Sequence, residues 1–106
     1  MRRSSDFTSV VRRGARARTG RLIVHQQLDL GDSPPVVGLV VARTIGSSVV
    51  RHRVSRRLRA QLAERLPVLP AGSGTVVRAL PQSADASSAE LGHALDTAFA
   101  RLAGRR

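Results

Sequence analysis

Arginine side chains are concentrated between residues 43 and 59, and they are the groups in this chain best suited to bind another molecule. No acidic residue interrupts the stretch, and the first acids on either side of it are Asp32 and Glu64. A guanidinium group presents a planar fork of N–H donors that fits phosphate oxygens. The stretch therefore predicts a phosphate-binding surface. Its basic side chains are Arg43, Arg51, His52, Arg53, Arg56, Arg57 and Arg59.

The apolar residues of this stretch recur every four positions, which predicts one buried face of an α-helix over residues 48–66. They are Val50, Val54, Leu58, Leu62 and Leu66. Arg53 falls on the opposite side of the predicted helix, whereas Arg57 lies nearer the border of the apolar stripe. A helix face that is merely solvated usually mixes acids with bases at i,i+4 spacing. Because this face is purely basic until Glu64, we favour phosphate binding over a solvated surface.

No combination of side chains predicts catalysis by the protein alone. Cysteine is absent, and the seven acids include no close pair on one predicted face. The histidines His25, His52 and His93 are scattered, and no glycine-rich phosphate loop is present. We therefore predict a protein that binds structured RNA or DNA mainly through phosphates. With only Phe7 and Phe99 as aromatic residues, a stacking platform for single strands is disfavoured.

The elements around the basic helix predict an α+β fold, a sandwich of two layers with helices packed on a sheet. Their predicted order is helix 5–14, strand 22–30, strand 36–42, helix 48–66, strand 75–80 and helix 87–102. The turn-forming residues 31–35 predict that the first two strands pair antiparallel. The continuous apolar run 36–42 predicts a buried central strand. Arginines between residues 12 and 21 predict either a mobile basic loop or a second phosphate-contacting surface.

The composition points to an acidic partner. The formal net charge is +11, and all eighteen basic residues are arginine. Such an excess of positive charge favours nucleic acid or an anionic membrane surface as the partner. No apolar run approaches the ~20 residues of a membrane span, and no signal segment is apparent. We expect a single domain over residues 1–106 in the cytoplasm, with flexible ends at 1–3 and 104–106.

The run from Val37 to Arg59 resembles the signature of the bacterial ribonuclease P protein subunit. That signature has a strand, a basic pair, glycine, small residues and an Arg-Asn-Arg core followed by further basic residues. Here the core reads Arg-His-Arg at 51–53, and Thr44 stands where the second residue of the basic pair is expected. The run Ser-Asp-Phe at 5–7, followed by Val-Arg-Arg-Gly at 11–14, is similar to the opening of that family.

The resemblance implies both a fold and a role. The fold is the two-layer sandwich with a left-handed crossover through the basic helix, shared with domain 2 of ribosomal protein S5. The implied role is that of a monomer bound 1:1 to a large catalytic RNA that removes 5′ leaders from precursor tRNA. The RNA would carry out the hydrolysis, with Mg²⁺ held by the RNA and the substrate, so the enzyme would be a ribonucleoprotein.

The resemblance also assigns residues to two surfaces. The basic helix would contact the catalytic RNA through the arginines and His52 named above. A cleft between the first helix and the sheet would hold the precursor leader, at Phe7, Val11, Leu22, Val24 and His25.

Other classes remain as alternatives. A non-catalytic RNA-binding protein of ribosomal type would bind RNA without stimulating cleavage. A DNA-binding regulator is disfavoured because Gly46 and the preceding strand do not form a helix-turn-helix. A membrane-surface helix is disfavoured because its apolar stripe contains only Val and Leu, which suit a core.

Overall fold

The computed structural model describes residues 10–12, 14–28, 31 and 33–104. This part of the chain contains β1 (Ala15–Arg18), β2 (Leu22–Gln27), β3 (Val36–Val40), α1 (Ser48–Arg65), β4 (Gly74–Ala79) and α2 (Ser88–Gly104). Short 3-10 turns lie at Arg43–Ile45, Leu66–Val68 and Pro81–Ser83. Residues 10–12 are helical, whereas residues 5–9 of the predicted first helix lie outside the described residues. The predicted flexible ends at 1–3 and 105–106 also lie outside them, and Gly104 is the last residue of α2.

The four strands form one mixed sheet in the order β1-β2-β4-β3. β2 pairs antiparallel with both β1 and β4, and β3 pairs parallel with β4. The first two strands predicted from the sequence correspond to β2 and β3. Their predicted antiparallel pairing is wrong, because β4 lies between them. The loop before β3 is tied to the segment before β4 instead, since the Gly72 amide donates to the Ser33 carbonyl oxygen at 2.7 Å.

Two strand assignments from the sequence are corrected by the structure. β3 lies at the sheet edge and is only partly buried, with Val40 43% exposed, so it is not the predicted buried central strand. The buried central strand with the apolar run is β4, where only Arg78 is exposed. The arginine-rich segment 12–21, predicted as either a mobile basic loop or a second phosphate-contacting surface, contains β1, in which Ala17 is buried while both arginines are exposed.

The two long helices cover one face of the sheet, which confirms the predicted two-layer α+β fold. Alternate strand residues point to this face, because successive side chains of a strand point to opposite sides. Burial of these aliphatic side chains removes apolar surface from water and stabilises the sandwich. The largest members of this core are Leu22, Val24, Ile45, Val54, Leu58, Leu62, Val77, Leu91, Leu95 and Leu102.

Polar caps define where the helices begin. Ser47 caps α1, where its hydroxyl oxygen accepts a hydrogen bond from the Val50 amide at 3.4 Å. At α2, the Ser87 hydroxyl oxygen accepts from the Glu90 amide at 3.0 Å, and the Ser87 amide donates to the Glu90 carboxylate at 2.9 Å. This reciprocal pair of hydrogen bonds is a capping box. These hydrogen bonds of Ser87 hold the pKa of Glu90 below its usual value, and the charge of Arg21 adds to the effect.

Candidate nucleic-acid interface

The outward surface of α1 carries exposed basic side chains. His52, Arg56 and Arg59 are exposed on the helix, and Arg43 is exposed in the 3-10 turn just before it. Arg51 is partly buried beside the edge strand, where it borders a hollow with Leu39 and Val41. The apolar stripe anchors the opposite side of the helix in the core through Val54, Leu58 and Leu62. We call Arg43, His52, Arg56 and Arg59 the outer basic row.

Arg53 and Arg57 point away from the outer basic row, toward the segment before α2. Nη2 of Arg53 donates to the carbonyl oxygen of Ala84 at 3.0 Å, and Nη1 of Arg57 donates to that of Ala86 at 2.7 Å. Both side chains are partly buried. The helical wheel placed Arg53 opposite the core, but it did not anticipate the neighbouring segment that covers it.

The same side of α1 continues with two further contacts to α2. Nε2 of Gln61 donates to the Ser88 hydroxyl at 2.9 Å, and Nε of Arg65 donates to the Asp96 carboxylate at 2.7 Å. The Arg65 guanidinium beside Asp96 holds the pKa of that carboxyl below its usual range, and the same hydrogen bond raises the pKa of Arg65. We call Arg53, Arg57, Gln61 and Arg65, spaced four residues apart, the polar seam.

A second basic surface lies on the face of the sheet opposite the helices. Strand register places Arg16 beside His25 and Val76, and it places Ile23 beside Arg18 and Arg78. Paired residues of neighbouring strands share a face. The three arginines are exposed, whereas His25 is only 6% exposed. We call these six residues the second face.

His25 is the buried polar group of the second face. Its Nδ1 atom is buried and has no hydrogen-bond partner among the described residues. Burial lowers the pKa of His25, and the positive charges of Arg16 and Arg78 lower it further. The imidazole is therefore neutral at pH 7, and its buried Nδ1 can either accept or donate one hydrogen bond, depending on the tautomer.

Comparison with known proteins decides the family. A model of the Ribonuclease P family matches residues 1–103. The chain belongs to the ribonuclease P protein family. It is 49% identical to the ribonuclease P protein component of Beutenbergia cavernae, over 96% of this chain and 86% of that protein. It is 45% identical to that of Streptomyces bikiniensis, over 98% of this chain and 91% of that protein.

Solved structures of ribonuclease P proteins have the same fold. The Staphylococcus aureus protein superimposes with a TM-score of 0.82 at 15% identity, covering 95% of this chain and 92% of that one. The Thermotoga maritima protein superimposes with a TM-score of 0.77 at 20% identity, covering 92% of this chain and 91% of that one. These likenesses establish the α+β architecture at low sequence identity.

Two of the residues that the ribonuclease P resemblance assigned to a leader cleft, Leu22 and Val24, lie on the opposite side of β2 from His25. His25 is on the second face, and Val11 is 43% exposed in the helical turn at 10–12. Leu22 and Val24 point to the opposite side of β2 and are completely buried in the core beneath the helices. They cannot line a surface cleft, because alternate residues of a strand face opposite sides. Phe7 lies outside the described residues.

The sequence predicts only part of the second face. Arg16 and Arg18 belong to the run that predicts either a mobile basic loop or a second phosphate-contacting surface, whereas no sequence signal marks Arg78 inside its apolar strand. The available signal was the alternation of arginine with alanine at residues 15–18, a period-two pattern. Arg21, from the same basic run, is instead paired with Glu90 at 2.9 Å.

The part of the chain that the structure describes shows neither a metal site nor a membrane span. No group of three His, Cys, Asp or Glu residues there is arranged to hold a metal ion. No helix there is both long enough and apolar enough to cross a membrane.

Proposed function

We propose that this chain is the protein subunit of ribonuclease P, in which it binds the catalytic RNA and the 5′ leader of precursor tRNA. The outer basic row on α1, in a chain that matches the family over residues 1–103, carries this proposal. The RNA performs the hydrolysis with Mg²⁺ that the RNA and the substrate hold. The protein contributes by binding both RNAs and orienting the leader.

The catalytic RNA is assigned to the outer basic row. None of Arg43, Arg56 and Arg59 forms an ion pair with an acid of the described residues. Their guanidinium groups are therefore available to phosphates, and each contact made would release condensed counterions from the RNA. Because α1 is anchored along its apolar side, Arg56 and Arg59 are presented on a rigid helix, and Arg43 lies in the 3-10 turn just before it.

The leader is assigned to the second face. Arg16, Arg18 and Arg78 supply cations for the leader phosphates, and the partly exposed Ile23 supplies apolar surface between them. His25 and Val76 lie beneath these side chains, only 6% and 3% exposed. Phe7 and Val11 remain predicted members of this site. This arrangement holds the leader mainly by phosphate contacts, because no tyrosine or tryptophan exists in the chain to stack on its bases.

The test is cleavage of precursor tRNA by a bacterial ribonuclease P RNA at low Mg²⁺, with and without the protein. We expect strong stimulation and a product with a mature 5′ end. A matched variant with Arg56→Ala and Arg59→Ala is expected to need a higher protein concentration for the same stimulation. Tight RNA binding without stimulation, also with the RNA of the same organism, would favour the alternative of a non-catalytic RNA-binding protein.

A further inference from the structure

The polar seam connects α1 to a segment that also touches the turn carrying Arg43. The Arg53 and Arg57 guanidinium groups donate to the carbonyl oxygens of Ala84 and Ala86. The 3-10 turn at Pro81–Ser83, which begins the same segment, packs against the 3-10 turn at Arg43–Ile45. Residues 81–86 therefore lie between the middle of α1 and the turn that carries a member of the outer basic row. We call residues 81–86 the bracing segment.

The bracing segment is built as a rigid piece. The Ser83 and Ala84 amides donate to the carbonyl oxygens of Leu80 and Pro81 at 2.9 and 3.1 Å. The Ala86 amide donates to the Ser83 carbonyl oxygen at 3.1 Å. Ser83 and Ala86 are almost completely buried, at 0% and 1% exposed. A movement of one end is therefore transmitted to the other.

Its contact with the turn is also tightly packed. Ile45 is only 6% exposed and belongs to the core cluster that also contains Ala86. Arg43, two residues earlier, is exposed. The position of the Arg43 guanidinium therefore depends on how the turn rests against the bracing segment.

We propose that Arg53 and Arg57 are positioning residues, which fix the bracing segment on α1 and thereby align Arg43 with Arg56 and Arg59. This inference rests on the proposed function, because the aligned groups are those assigned to the catalytic RNA. Arginine suits the task because its long planar fork can reach a carbonyl oxygen from the helix. Without Arg57, the carbonyl of the buried Ala86 would lose its hydrogen-bond donor, which favours displacement of the segment.

The test is a double-mutant cycle on the affinity for ribonuclease P RNA, measured over a range of salt concentrations. Arg43→Ala and Arg56→Ala are each expected to weaken binding and to lower the salt slope by about 0.7 to 0.9. Arg53→Ala is expected to weaken binding to a similar extent. The double variant R43A/R53A is expected to match R53A within about twofold, because Arg43 is already misaligned in R53A. Fully additive losses of affinity and of slope would overturn the proposal, since Arg53 would then contact phosphate independently.

Arg65→Ala is the matched control. It removes an arginine of the same polar seam and its contact with Asp96, but it lies at the far end from Arg43. We expect R65A to lower the melting temperature and to leave RNA affinity unchanged within about twofold. If R65A weakens RNA binding as much as R53A does, general loosening of the two helices explains the effect, and the proposal is wrong.

Hydrogen exchange of the free protein provides a test that needs no RNA. The amides of Ser83, Ala84 and Ala86 are expected to exchange faster in R53A and in R57A than in R56A. Unchanged exchange in R53A and R57A would contradict the proposal even where RNA binding is altered. If R43A and R56A leave the salt dependence of RNA binding unchanged, the proposed RNA surface itself is wrong. This outcome differs from unchanged exchange in R53A and R57A, which would contradict only the positioning role.

Discussion

Arg16 lies directly opposite His25 in the antiparallel pair of β1 and β2, so the two side chains share one face of the sheet. On the other side of His25, the register of β4 places Val76 opposite it, with Arg78 two residues further along the strand. Protonation of a histidine that is buried between two arginines is unfavourable, because the imidazolium would be desolvated and repelled by both guanidinium groups. The second face is thus arranged to keep this imidazole neutral.

Stability is expected to fall as the pH is lowered from 7 toward 5. The pKa of His25 is lowered in the folded protein, so the unfolded chain binds more protons than the folded one when the pH falls below 6.5, the ordinary pKa of histidine. The stability is therefore complete above pH 6.5 and is lost as the pH falls through the folded pKa. Urea unfolding at pH 7.5, 6.5 and 5.5 would measure this.

His25→Gln is the control for that pH dependence. It removes the titrating group and is expected to flatten the dependence between pH 5 and 7. The lowered pKa values of Glu90 and Asp96 also cause a loss of stability, but only below their ordinary values of 4.5 and 3.8. An H25Q variant that loses stability over the same window as the parent would show that another group is responsible.

The second face is expected to distinguish precursors by their leader. In the R16A/R78A variant, KM should rise for a precursor with a leader of several nucleotides, since leader phosphates lose two cations. KM should change little for a precursor with a single leader nucleotide. Steady-state cleavage of both precursors by the reconstituted ribonucleoprotein would measure this.

Arg56→Ala provides the comparison for the leader experiment. Because Arg56 is assigned to the catalytic RNA, its loss should raise the protein concentration needed for both precursors equally. An equal rise of KM for both precursors in R16A/R78A would contradict the assignment of the leader to the second face.

The sequence predicted the elements whose signals are local. The capping box at Ser87 and the cap at Ser47 confirm the starts of both helices, and the apolar repeat gave the core face of α1. Strand order depends on pairing across the whole chain, which local patterns do not encode. For that reason the apolar run at 36–42 predicts a central strand of the sheet, although the same run is equally compatible with the edge position that β3 occupies.

The candidate site was predictable to a similar degree. Charge patterning located the arginines, but the direction of each guanidinium depends on residues distant in sequence. Arg53 and Arg57 meet the carbonyls of Ala84 and Ala86, a contact that no helical wheel contains. The resemblance to ribonuclease P proteins assigned Leu22 and Val24 to a cleft. Because successive residues of a strand point to opposite sides, both side chains lie in the core instead.

Gly72→Ala is expected to destabilise the protein by about 3 kcal/mol, because it combines backbone strain with overpacking. Gly72 has a φ of +72°, and an added β-carbon would lie 1.9 Å from the carbonyl oxygen of Gly31. Thermal and urea unfolding would measure the loss. Gly20→Ala is the control, since a β-carbon there meets no atom within 4 Å. Equal stabilities of the two variants would show that the loop before β3 can move away from Gly72.

Gly92→Ala is expected to loosen the polar seam. An added β-carbon would lie 2.4 Å from Oε1 of Gln61 and 2.9 Å from Nη2 of Arg65, so both side chains must move away from their α2 partners. We expect a net loss of about 1 kcal/mol, even after the gain in helix propensity. Gly104→Ala, in the same helix with no atom within 4 Å, should be neutral or slightly stabilising. A stabilised G92A would show that the seam tolerates the methyl group.

The central position of β4 also governs the order in which the sheet can assemble during synthesis. β4 is the last strand of the sheet to leave the ribosome, yet β3 pairs only with β4, and β2 needs it on the side away from β1, where Leu22 lies opposite Ala79. Such long-range pairing requires a large loop to close, which costs conformational entropy before any stabilising contact forms. It therefore slows folding. A nascent chain that ends before residue 74 therefore exposes the apolar stripe of α1 beside its arginines. It can form only the β1–β2 hairpin until the remaining residues emerge.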